Sequence, residues 1–176
     1  MHIKWIGAAL IICSSGFVGF KICAAYRQEE ENLRQLISAL DYMVWELRYH
    51  QSALPDICRQ IGTERSGCIG MLFCQLAEKL ESQTAPDVQS CLAAAAADCC
   101  RISGRVEEAV CIMGSSLGRF DLEGQLLGLE SVRIYCREQL EVMSKDRDTR
   151  LRSYQTLGLC AGAALAILFV YLWILT

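Results

Sequence analysis

Gly114, Ser116 and Gly118 have the spacing of a nucleophile elbow, where a serine on a sharp strand-to-helix turn attacks an acyl carbon. That chemistry needs a strand before the serine, a helix after it and a histidine within reach as general base. Residues 107–113, Glu-Glu-Ala-Val-Cys-Ile-Met, have a helical pattern, and His2 and His50 are the only histidines in the chain. His50 is thus the sole candidate base on the side of the membrane argued below for the middle of the chain. A phosphate-binding loop fails as well, because neither Lys nor Thr follows Gly118 in the required order. Two histidines, and eleven cysteines with no Cys-x-x-Cys, give no clustered ligand set, so no metal site and no cofactor is expected. An esterase acting through Ser116 remains one functional reading, the weakest of three. Loss of activated-ester hydrolysis in Ser116→Ala would support it.

A structural reading accounts for more of residues 113–125. Gly118 suits the left-handed position that ends a helix, and Asp121 suits the N-cap that starts the next. Arg119 and Phe120 would be the whole link, which forces the two helices antiparallel. Gly124 and Gly128, one turn apart, would let the new helix lie close to its neighbour.

The elements that hold this turn read as helices throughout. Leu33, Leu36, Ile37, Leu40, Met43, Val44 and Leu47 form an apolar stripe of helical period. With no Gly or Pro between Lys21 and Leu54, the first helix should run as one long rod. Ser52 and Pro55 mark a turn and a new start, and Gly62 is expected to close that short helix. Residues 67–81 predict a third helix buried through Ile69, Leu72, Phe73, Leu76 and Leu80. Thr84-Ala85-Pro86-Asp87 signals another start, and Ala93 to Ala97 suggest a tightly packed central helix. Ser103-Gly104 breaks it before Arg105 to Leu117 resumes with Val106, Ala109, Val110 and Met113 inward. Leu122, Leu126, Leu129, Val132, Cys136, Leu140 and Met143 then mark the longest regular segment, which should continue through Thr156. The expected fold class is all-α: an antiparallel bundle of about six helices flanked by N- and C-terminal transmembrane helices.

Composition supports the flanks. The chain has 176 residues, 53% of them hydrophobic, and the excess sits at both ends. Residues 157–175 carry no charge and would span roughly 28 Å at about 1.5 Å per residue, close to a bilayer core. Residues 5–25 are long enough to span if Lys21 snorkels. A cleaved signal peptide ending near Cys23-Ala24-Ala25 is the competing reading of that segment. The expected division is a membrane helix at 1–25, a cytoplasmic helical bundle at 26–156 and a membrane helix at 157–176. Arg137, Lys145, Arg147, Arg150 and Arg152 precede the second span, and Lys21, Arg27 and Arg34 close the first against Lys4 alone. Both ends thus place the middle in the cytoplasm, where scattered cysteines are tolerated as small apolar residues. The middle carries 15 of the 17 basic and all 20 acidic residues, so nucleic acid is not an expected partner. Ser15-x-x-x-Gly19 and Gly158-x-x-x-Gly162 offer small faces for helix pairing in the membrane, and a homo-oligomer is possible. Glu29, Glu30, Glu31, Glu107 and Glu108 could build an acidic partner face or simply a solvated one.

This order of segments resembles the stage III sporulation protein AB family of endospore-forming bacteria. Leu117, Gly118, Asp121 and Gln125 match its Leu-Gly-x-Ser-Asp-x-x-x-Gln pattern, and Phe120 stands where the family has serine. The resemblance covers essentially the whole chain. It implies a non-enzymatic platform, similar to the helical cytoplasmic domain of type II secretion and type IV pilus inner-membrane proteins. It further implies a place in the mother-cell membrane facing the forespore. There the chain would connect a cytoplasmic secretion-type ATPase to the proteins of the channel joining the two cells. A membrane-tethered helical sensor or regulator is the alternative, favoured by a bound small molecule without such an ATPase.

Overall fold

The structure is a computed structural model that describes residues 2–83, 85–99, 102, 104–118, 121–145, 160 and 164, with side chains from Phe20 onward. The element order is α1 (His2–Trp45), a π-turn (Glu46–His50), α2 (Leu54–Glu64), α3 (Gly67–Glu81), α4 (Val88–Asp98) and α5 (Arg105–Ser116). A last helix, α6, covers residues 122–145. No strand occurs among the described residues, so the all-α fold class holds.

The core follows the apolar periodicity. Leu33, Leu36, Leu40 and Met43 of α1 are fully buried, as are Ile69, Leu72, Phe73 and Leu76 of α3. Each such side chain gains about 1.5–3 kcal/mol over exposure, more than the propensity difference between ordinary helix residues supplies. Val106, Ala109, Val110 and Met113 face inward from α5, and Leu129, Val132 and Cys136 from α6. At α4 the Asp87 carboxylate accepts the Ser90 backbone N–H at 3.1 Å, the N-cap that the Pro86-Asp87 pair announces.

Two local expectations are revised. Gly62 does not close α2, which continues to Glu64. A methyl group on Gly62 would come within 2.8 Å of the Cys74 backbone nitrogen, so this glycine instead sets the close approach of α2 and α3. The alanine run does not make α4 a central helix. Cys91, Leu92 and Ala95 are buried, but Ala93, Ala94 and Ala97 face solvent. The first helix runs as one rod from His2 to the expected turn at Ser52, widening into the π-turn before Gln51, which has φ 52°.

The chain divides into two compact units, one of Met1–Gln28 with Met143–Thr176 and one of Glu29–Val142. In the first, the Tyr26 hydroxyl donates to the Met143 carbonyl at 3.1 Å and Cys23 is buried. The second contains the helical bundle with α2 to α5. Among the described residues no helix is long and apolar enough to cross a membrane. The expected C-terminal span lies outside the described residues apart from 160 and 164, as do Gly158 and Gly162. Ser15 and Gly19 lie on the helical backbone of α1, with side chains outside the description.

Candidate functional site

The turn between α5 and α6 is built from both sides. Leu117 is buried and its N–H donates to the Met113 carbonyl at 3.1 Å, closing α5. Gly118 follows with φ +76°, a conformation that side chains with a Cβ adopt at a cost. A Cβ there would also stand 2.6 Å from Val88 Cγ2 of α4. Arg119 and Phe120 lie outside the described residues. Asp121 opens α6: its carboxylate accepts the Gly124 N–H at 3.0 Å and its carbonyl accepts the Gln125 N–H at 3.0 Å. Further along, Gly128 packs directly onto the Ser116 side chain, leaving no room for a Cβ.

This geometry disposes of the elbow. Ser116 is in the last turn of α5, and its hydroxyl donates to the Ile112 carbonyl at 3.2 Å. His50 lies at the end of the π-turn, its ring 4.5 Å from that of Trp45 and its Nδ1 3.5 Å from a Glu46 oxygen. Two of the buried thiols are no better placed for nucleophilic work. Burial pushes Cys58 up to about 12 and Cys136 up to about 11, so both stay protonated at neutral pH. No group of three or more metal-ligating side chains is found among the described residues.

The N-terminal end of α5 is held by an arrangement that local sequence could not show. Gly104 precedes α5 with φ +62° and offers no side-chain cap. Its place is taken by Glu29 of α1, whose carboxylate accepts the Arg105 backbone N–H at 3.1 Å and meets the guanidinium at 3.4 Å. Arg105 also donates through Nε to Gln139 of α6 at 2.9 Å, and the Tyr135 hydroxyl donates to Glu108 at 2.5 Å. Burial, then the Glu108 carboxylate, pushes the Tyr135 hydroxyl up to about 12. Two of the five glutamates read as an acidic face therefore bind within the bundle, and Glu30 pairs with Arg34 at 2.8 Å. Glu31, Glu107 and Glu108 remain exposed. The missed signal was Gly104 itself, a helix start with no capping residue of its own.

A second polar cluster lies at the π-turn. Glu46 is buried and accepts the hydroxyls of Tyr42 and Ser52, each at 2.8 Å. Those two bonds hold its carboxyl below the usual range, while burial and then Glu46 push Tyr42 up to about 12.

Among the described residues, neither the two clusters nor the turn pairs a nucleophile with a base. With that geometry in view, the stage III sporulation protein AB family model matches residues 4–170 of the sequence. The chain belongs to the stage III sporulation protein AB family. Membership gives it a sporulation-related role. A solved structure described as Stage III sporulation protein AB (SpoIIIAB) is similar in fold, with a TM-score of 0.62 and 16% identity, covering 69% of this chain and 98% of that one. No curated protein matches the chain. Leu117, Gly118 and Asp121, the residues that carry the resemblance, are the ones that end one helix and start the next.

Proposed function

We propose that this chain is a non-enzymatic membrane platform of the sporulation apparatus, acting between mother cell and forespore. In this reading residues 1–25 and 157–176 are its membrane helices and residues 26–156 its cytoplasmic bundle. The bundle docks a cytoplasmic secretion-type ATPase and other proteins of a secretion-like channel. The observation that carries the reading is the family match, which runs through both apolar ends as well as the bundle. The site geometry agrees with it: α5 is pinned at both ends by contacts to α1, α4 and α6, as suits a rigid docking element rather than a reacting centre. Gly118 and Asp121 are exposed at the turn, and Leu117 supports them from the core.

Photocrosslinking of the full chain in sporulating cells, from positions 107–125, tests this. An adduct with a secretion-type ATPase is expected, together with retention of the chain in carbonate-washed membranes. Crosslinks confined to small molecules or to unrelated soluble proteins would overturn the platform reading.

A further inference from the structure

Between α4 and α5 lies a half-open cleft of about 430 Å³. Its floor is apolar: Leu92, Val110 and Gly114 are buried. Its α4 wall is Ala93, Ala96 and Ala97, of which Ala93 and Ala97 face solvent. From Val88 to Ala97 α4 has no charged residue at all. A solvated helix face ordinarily carries charge, whereas the centres of protein interfaces are depleted of it. Alanines also project little, so an incoming helix can approach closely here.

Size and charge define the occupant. The helices α4 and α5 have 11 and 12 residues, so at about 1.5 Å per residue the cleft offers roughly 16–18 Å of track. That length fits about three turns of a partner helix. The volume accepts a large apolar side chain as anchor, in the helix-in-groove mode. On the α5 side the rim carries Glu107, which is exposed, and no cation is among the described lining residues. A carboxylate beside an apolar floor selects a basic residue next to the anchor. We infer that the α4–α5 cleft docks an amphipathic helix of another protein, with a bulky apolar anchor and a neighbouring Lys or Arg. The inference rests on the platform reading only for the existence of a partner.

The probe is a fluorescein-labelled, 14-residue helical peptide with leucines on one face and flanking lysines, alongside its lysine-to-glutamate counterpart. Binding is read by fluorescence anisotropy on the full chain in nanodiscs of zwitterionic lipid, against empty nanodiscs. The lysine peptide should bind more tightly than the glutamate peptide. Glu107→Gln should weaken it about fivefold, the scale of one exposed charge pair. Glu107→Lys should reverse the preference, and Ala97→Arg, at an exposed helical position, should block both peptides without lowering the melting temperature. Equal binding of the two peptides, or a preference indifferent to Glu107, would overturn the inference. So would self-association of the chain that Ala97→Arg abolishes while no peptide binds, since the occupant would then be a second copy. Peptide failure with the ATPase still captured in cells removes the cleft alone and leaves the platform standing.

Discussion

Gly118 combines two constraints, a left-handed backbone and a close neighbour in Val88. Gly118→Val is expected to destabilise the chain by about 2–4 kcal/mol, from backbone strain and crowding together. Gly118→Ala combined with Val88→Ala should recover the crowding share and keep the strain, as thermal unfolding of the purified chain would show. Asp121→Ala should cost about 1 kcal/mol, and Asp121→Ser much less, because only a side-chain oxygen is needed at the cap. The titrating residues make a separate prediction. Glu46 is held below its ordinary value, so its contribution is present at neutral pH and is lost as the pH falls below that value. Tyr42 and Tyr135 are pushed from 10 to about 12. The unfolded chain ionises first above pH 10, and stability should drop between pH 10 and 12. Glu46→Gln should flatten the acid limb of a melting-temperature profile, and Tyr42→Phe part of the alkaline one. Unchanged limbs would show that these contacts are not formed.

At the scale of elements, α6 lies against α5 because Gly128 gives up its side chain where Ser116 needs the space. Gly128→Ala should lower the melting temperature, and adding Ser116→Gly should restore part of the loss, a coupling that independent sites would not show. The helices themselves were legible in sequence, because burial on one side writes a 3.6-residue period into leucine and isoleucine positions. The bounds of α3 could be read from Gly67 to Glu81 for that reason. Gly62 was misread because a glycine near the end of a helical run looks the same whether it stops the helix or admits a neighbour. The alanine run misled in a similar way, since small residues permit close approach without requiring that another helix of the chain cover them.

For the whole molecule, the membrane helices are the part of the proposal most directly checked. Removal of residues 157–176 should weaken retention in membranes without unfolding the bundle, measured by fractionation and by far-ultraviolet circular dichroism. By itself the sequence determined the all-α class, the helix order, the Gly118–Asp121 turn and the resemblance that family membership now secures. The class, the helix order and the turn rest on neighbours within a few residues, through periodicity, capping and the residue types a turn demands, and the resemblance on the order of segments along the chain. Tertiary structure alone decided that Glu29 caps α5 from α1, and that Glu108 is held by Tyr135. It also decided that α4 keeps one uncharged face open to form a cleft with α5. Those outcomes depend on which helices meet and at what register. Partners 27 or 76 positions apart leave no periodic mark in the chain that joins them.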